Sequence, residues 1–128
     1  MQEVGVNGAF CVKHKGLYYL LYTANHFRSV DYSMGYALSK SPTGPWKKFA
    51  RNPILKATAD IKGPGNGMVV SSPSGGELIF VYHAHCAPEK IAPRKLCIDR
   101  CRFVPDPNAG PDRFVIDGPT STPQLSPK

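Results

Sequence analysis

The density of chain-breaking residues limits the fold most: 128 residues contain 13 prolines and 12 glycines. Proline lacks an N–H and glycine favours turns, so the segments between them are too short for most helices. Several of these segments are rich in aromatic and branched apolar residues, as in the run from Leu17 to Thr23. Such residues favour strands. The sequence therefore predicts an all-β protein.

Four short strands are predicted in each half of the chain. They cover residues 9–13, 17–23, 32–39 and 46–49, then 68–71, 77–85, 95–103 and 113–116. Four-stranded units repeating at roughly 50 residues are typical of propeller blades, although an eight-stranded sandwich has a similar spacing of turn residues. We predict one domain over residues 1–128, with two antiparallel propeller-type blades at 1–56 and 57–128.

Composition excludes several classes of protein. With 41% hydrophobic and 20% charged residues, the chain is typical of a globular protein rather than a disordered or membrane protein. The formal charge of +7 is spread along the chain, which favours a solvated rim over a nucleic-acid site. The N-terminus lacks the pattern of a secretory signal, so localisation stays open, with the cytoplasm as the default expectation.

The four cysteines form no recognisable framework. Cys11, Cys86, Cys97 and Cys101 contain no C-x-x-C pair, so neither a zinc ribbon nor a set of disulfides is predicted. Buried free thiols are the simplest interpretation. A mixed cluster of Cys97, Asp99 and Cys101 near a histidine is an alternative, because residues two apart on a strand share a face.

A series of motifs carries a resemblance to one family. The first half contains VNGAF at 6–10, KHKGLYYL at 13–20, YTANHF at 22–27, DYSMGYA at 31–37, SPTGPW at 41–46 and NPIL at 52–55. The second half contains GPGNG at 63–67, VYHAH at 81–85, RKLCIDR at 94–100 and DGPT at 117–120. In this order the motifs resemble the last two blades of glycoside hydrolase family 43.

The resemblance implies a five-bladed propeller that hydrolyses arabinose- or xylose-containing glycans with inversion, using three carboxyl groups. Two of them would come from earlier blades. The family's general-acid glutamate precedes the Gly-Ala-Phe step, where this chain has Asn7, so the glutamate is replaced or deleted. An amide cannot protonate a leaving oxygen. Glu3 is displaced by more than ~12 Å along an extended chain and is a poor substitute.

A second cavity position also departs from the family pattern. The family places a histidine in the Gly-Pro-Gly-His step, where it lines the cavity and helps to hold an ion, and this chain has Asn66 there. An asparagine carbonyl can still bind a hard cation, so calcium in a central cavity is the only cofactor considered, and no metal ligands are assigned.

Three residues are candidate catalytic groups. His83 and His85 lie two apart on a predicted strand, so their side chains are expected on one side, as a metal or acid–base pair requires. Asp31 lies in a loop that the resemblance places near the cavity mouth. The alternatives are satisfied histidines at a blade interface and turn chemistry for Asp31.

Six residues are candidate ligand-binding groups, because the resemblance places them around the same cavity. They are Asn7, Asn25, His26, Tyr32, Asn66 and Arg94. For Asn25 the alternative is a structural role, since asparagine tolerates left-handed backbone geometry in turns.

These observations predict a truncated family-43-like protein that is carbohydrate-active or a remodelled hydrolase, with a site formed between subunits. A standard inverting arabinosidase or xylosidase is not expected. The alternatives are a non-catalytic glycan-binding or assembly module and a fragment of a longer glycosidase. Two blades alone would leave two apolar faces in water, which predicts self-association into a dimer or larger ring. The other expected partner is a carbohydrate or small molecule, with no nucleic acid and no membrane.

Overall fold

A computed structural model describes residues 6–128, and Glu3 lies outside this range. The described residues form two four-stranded sheets in which all neighbouring strands are antiparallel. The first sheet has the order β1 (Val6–His14), β2 (Leu17–Ala24), β3 (Ser33–Ser39) and β4 (Lys47–Lys48). The second has the order β5 (Gly65–Ser71), β6 (Leu78–Ala84), β7 (Lys95–Val104) and β8 (Arg113–Ile116). The predicted all-β class and its two four-stranded units are confirmed.

Strand boundaries differ from the prediction mainly where glycine lies in a strand. Both β1 and β5 begin three residues earlier than expected, and each has a register shift near its start, between Asn7 and Phe10 and between Gly65 and Met68. Glycines that resemble chain breaks in the sequence therefore belong to bulged strands. The fourth strand covers only Lys47–Lys48 rather than residues 46–49.

One face of each blade packs against the other blade to form the core. Strand alternation places Tyr19 and Leu21 of β2 on this face, and Tyr18 and Leu20 on the opposite face. The buried cluster combines both blades and contains Tyr19, Leu21, Met34, Tyr36, Leu55, Phe80, Tyr82, Cys101, Phe114 and Ile116. Because the core is shared, neither blade buries its apolar face without the other.

Polar contacts fasten the two blades where β1 ends. The His14 imidazole Nε2 lies 2.9 Å from Asp112 Oδ2, and Lys15 Nζ lies 3.1 Å from the same oxygen. The Tyr19 hydroxyl donates to the Asp112 carbonyl at 2.7 Å, and His14 stacks on Phe103 with ring centroids 3.7 Å apart. We call these five residues the paired end of the blade interface.

The opposite face of the second blade exposes apolar side chains. Met68, Val70 and Leu96 retain 48%, 39% and 77% of their accessible surface. The ladders place Met68 level with Val81 and Val70 level with Ile79, and strand alternation places Leu96 on the same face. Among residues 6–128, no helix has the length and apolar character needed to cross a bilayer.

Candidate functional site

The innermost strands of the two blades meet at the start of β1, opposite the paired end. Gly8 has a φ of 60°, and a Cβ at this position would overlap the side-chain amide of Asn66. The Asn66 N–H donates to Thr23 Oγ1 at 2.9 Å, and Thr23 is the ladder partner of Asn7. The structure therefore brings Asn7 and Asn66 to the same end of the molecule.

Tyr32 packs into this end from the start of β3. Its side chain is buried, and a Cβ on Gly65 would overlap both its ring and the Thr23 methyl group. Burial raises the pKa of Tyr32, while the Thr23 hydroxyl and the positive charge of Arg94 partly offset this rise. The phenol is therefore a neutral group at physiological pH.

His83 has an unsatisfied ring nitrogen. Its half-buried imidazole lies nearly parallel to the Tyr32 ring, with centroids 6.0 Å apart. Within residues 6–128, the buried Nδ1 has no hydrogen-bond partner. Burial lowers the pKa of His83, and the charges of Arg94 and His85 lower it further. The ring is therefore neutral at pH 7, with one nitrogen able to donate and one able to accept.

Arg94 contributes a positive charge to this group of side chains. Its guanidinium lies 4.9 Å from the ring centroid of Phe27 and acts electrostatically on both Tyr32 and His83. Exposed guanidiniums next to an aromatic ring recognise polar, electron-rich ligands. We call Thr23, Tyr32, Asn66, His83 and Arg94 the open-end cluster.

His85 has a structural position in the same region. Its buried ring donates from Nε2 to the Phe27 carbonyl at 2.8 Å, and its backbone N–H donates to the Lys62 carbonyl at 2.8 Å. A Cβ on Gly63 would overlap the imidazole. His85 therefore holds the loop that carries Phe27, whereas His83 is free to meet a ligand.

The remaining predicted residues form the turn between β2 and β3. Asn25 has a φ of 73° and donates from Nδ2 to the Asp31 carbonyl at 2.9 Å. His26 Nδ1 accepts from the Arg28 N–H at 3.2 Å, and the Asp31 N–H donates to a serine hydroxyl. Asp31 itself is exposed. These contacts shape the loop, so Asn25, His26 and Asp31 are placed beside the open-end cluster rather than within it.

The alternative cluster around Asp99 is not assembled. The buried Asp99 carboxylate accepts from the Tyr82 hydroxyl at 2.6 Å and from the Thr120 hydroxyl at 2.6 Å. This carboxylate anchors the segment that follows β8. Across the described part of the chain, no three His, Cys, Asp or Glu side chains converge as metal ligands.

The side chains of the open-end cluster do not form a suitable calcium site. Calcium takes six to eight oxygens, usually including carboxylates. The cluster offers neutral oxygens such as that of Asn66, next to the cationic Arg94. A calcium ion would need oxygen ligands beyond those of the cluster.

Sequence reasoning missed two residues of this region. Thr23 was assigned to a buried strand, and Phe27 was noted only as part of a motif. A polar residue at the end of the apolar run LYYLLY, where the strand approaches the expected cavity, was the available signal for Thr23. Phe27 had no comparable signal, because its role depends on the distant Arg94.

Two four-stranded blades joined face to face, with a polar cluster at the end of their innermost strands, define a part of a β-propeller. The sequence model described as "Glycosyl hydrolases family 43" matches residues 3–108. The chain belongs to this family, which confirms the resemblance seen in its motifs.

Solved structures support the same assignment. A crystal structure of a thermostable family-43 glycoside hydrolase is 42% identical with a TM-score of 0.86, covering 96% of this chain and 38% of that one. An endo-1,4-beta-xylanase from Bacteroides thetaiotaomicron VPI-5482 is 32% identical with a TM-score of 0.78, covering 90% and 38%.

Among curated proteins, the beta-D-galactofuranosidase xynD of Aspergillus niger is 27% identical over 115 residues, covering 88% of this chain and 33% of that protein. The chain thus spans between a third and two fifths of the length of these relatives.

Proposed function

We propose that this chain is a carbohydrate-binding part of a family-43 propeller that uses the open-end cluster to hold a sugar. The unpartnered ring nitrogen of His83 is the observation that carries this proposal. A buried polar atom without a partner costs about 1–3 kcal/mol, so a ligand hydroxyl that reaches it after a small ring rotation would recover stability.

The other groups of the cluster suit a sugar. Arg94 donates only, the Asn66 amide donates and accepts, and the Tyr32 hydroxyl does both. Sugar hydroxyls both donate and accept hydrogen bonds, so they can pair with each of these groups. The ligand class we propose is a xylose-, arabinose- or galactofuranose-containing glycan, in line with the names of the relatives.

Hydrolysis by this chain alone is not part of the proposal. Inverting cleavage needs a carboxylic acid and a carboxylate about 6.5–9.5 Å apart. Asn7 occupies the place of the family's acid, and the open-end cluster contains no carboxylate. The missing groups would have to come from another subunit or from further blades.

Calorimetric titration with xylotriose and arabinotriose tests the binding site. We expect measurable binding that weakens about tenfold or more in His83→Phe and in Arg94→Gln. Lys40→Gln removes a charge from the exposed turn after β3, at the end of the sheet away from Thr23, and serves as the matched control. Unchanged affinity in both site variants would contradict the proposal.

Aryl glycosides test whether the chain hydrolyses glycosides by itself. Purified chain should show no turnover of aryl arabinofuranoside, xyloside or galactofuranoside above buffer. Turnover above buffer would show that another residue supplies the proton and would contradict the absence of hydrolysis.

We further propose that a second copy covers the exposed face defined by Met68, Val70 and Leu96. Apolar area on one side of a sheet favours association, and symmetric pairing is the commonest solution. Leu96→Lys should reduce the sedimentation-derived mass to that of a monomer. Val30→Lys, which changes an exposed side chain in the loop between β2 and β3, is the control.

The second candidate function is that of a part of a longer glycosidase. Because the chain spans 38% of two solved relatives, the same face could be covered by further blades of a longer glycosidase. A stable wild-type monomer at micromolar concentration would favour this candidate and contradict self-association.

A further inference from the structure

A groove lies on the outer rim of the blade interface, at the outermost strand of the second blade. It has a volume of about 190 Å³ and lies between β8 and the segment that follows β4. Its lining residues are Phe49, Arg51, Ile54, Arg113, Phe114, Val115 and Ile116. The groove is formed by outer-rim segments, whereas the open-end cluster is built around the start of the innermost strands.

Two arginines that line this groove have no ion-pair partner among the described residues. Within residues 6–128, no carboxylate lies within salt-bridge distance of Arg51 or Arg113. The Nε of Arg113 is buried and has no hydrogen-bond partner in this range. Asp106 is the acidic group on this side, and its Oδ1 already accepts from the Asn108 N–H. An anion that accepts a hydrogen bond from a buried donor without a partner gains a strong, charge-assisted interaction.

The rest of the groove is largely apolar. Phe49 stacks on Tyr36 with ring centroids 4.6 Å apart, and the Arg51 guanidinium lies 5.5 Å from the Phe49 ring centroid. Aliphatic side chains of Ile54 and Val115 complete the walls. A ligand that fits must therefore combine a negative charge with an apolar face.

The edge of β8 adds a backbone donor. The Phe114 N–H donates to the Tyr36 hydroxyl at 3.3 Å, so it is directed away from β7. In an antiparallel ladder the direction alternates, which turns the Ile116 N–H the same way, toward the groove. Backbone N–H groups beside guanidiniums favour oxyanions.

We propose that this groove binds the carboxylate of a sugar acid, with the ring of the sugar against the apolar walls. The two arginines supply charge-assisted hydrogen bonds, and Phe49 and Ile54 meet the C–H face. This second site would hold an acidic residue of a glycan at a distance from the open-end cluster. The proposal does not depend on the function of that cluster.

Amide chemical-shift titration of the whole chain with D-glucuronate tests the proposal. We expect saturable shifts at Val115 and Ile116, and about tenfold or more weakening in Arg51→Gln, whose exposed side chain can be changed without disturbing the core. Lys90→Gln should titrate like the wild type. Arg113→Gln is expected to weaken binding further, and its amide spectrum reports whether it folds.

Two further ligands test the charge and the apolar face separately. D-Glucose should cause no saturable shifts at Val115 and Ile116, because it lacks the charge. Inorganic phosphate should bind more weakly than glucuronate, because it lacks the apolar face. Equal effects of glucuronate and glucose, equal affinity for phosphate, or an Arg51→Gln variant that binds like the wild type would each overturn the proposal.

Discussion

The two ends of the blade interface place a histidine in opposite surroundings. At the paired end, His14 is stacked on Phe103 and bonded to Asp112. In the open-end cluster, His83 has a buried Nδ1 without a partner in the described residues and feels the positive charge of Arg94. The same residue type therefore fastens the blades at one end and is left available at the other.

The difference shows which end serves stability and which serves recognition. Hydrogen bonding to His14 and Lys15 lowers the pKa of Asp112, so the folded state favours the charged carboxylate. Burial raises the pKa of Tyr19 to about 12, with Tyr36 and Asp112 adding to the rise, and keeps its hydroxyl as a donor. Unpaired groups at the open end make the opposite contribution, because they lower stability and can be satisfied by a ligand.

Truncating the core is the largest test of the claim that the interface holds both blades together. Phe114 is 1% exposed, and its ring lies edge-on to the ring of Tyr36 in the first blade, with ring centroids 6.3 Å apart. Phe114→Ala should lower the free energy of unfolding by about 3–5 kcal/mol, measured by urea denaturation. Val30→Ala, at an exposed position, should change it by less than about 0.5 kcal/mol.

Substitutions of His83, in β6, and His85, directly after β6, should differ sharply in their effect on the free energy of unfolding. His85→Ala leaves the Phe27 carbonyl without its partner and opens space against Gly63, so a loss of about 2–3 kcal/mol is expected. Thermal and chemical unfolding both report this loss. A loss as small as that of His83→Phe would show that His85 does not position the loop.

Strong acid should weaken the contacts of the paired end. The folded pKa of Asp112 lies below its unfolded value near 3.9, so its contribution is fully present above that pH and is lost as pH falls through the folded pKa. Asp112→Asn should be less stable at pH 6 and should lose less stability than the wild type between pH 5 and pH 2. Parallel pH curves for the two proteins would contradict this role.

His83→Phe should have the smallest effect on folding. It removes the unpartnered nitrogen and keeps the ring volume, so the free energy of unfolding at pH 7 should stay within about 1 kcal/mol of the wild type. The lowered pKa means that wild-type stability falls as pH drops below about 6.5, where the unfolded histidine binds a proton first. This component should be missing from the variant's pH curve.

Much of the fold was accessible from the sequence because its signals are local. Proline and glycine punctuation and the apolar run of β2 located every strand to within a few residues. The starts of β1 and β5 were misplaced, since a glycine within a bulge and a glycine in a turn look alike in one dimension. The family motifs were recognisable because each is a short contiguous string.

The open-end cluster was predictable only in part. Family motifs point to Tyr32, Asn66 and Arg94, and strand spacing points to His83. The structure brings these four residues together. Asp31 and His85 were selected by the same reasoning, yet their contacts shape the loop. Whether a residue faces the cluster or supports it depends on its side-chain partners, which the order of the motifs does not show.

The sequence by itself determined the strand content, the two-blade repeat and the family. The tertiary structure alone decided which polar groups are paired. His14 and Asp112 are 98 residues apart, and Asn66 and Thr23 are 43 apart. Contacts over such separations arise from packing one blade on the other, and local sequence carries no record of that geometry.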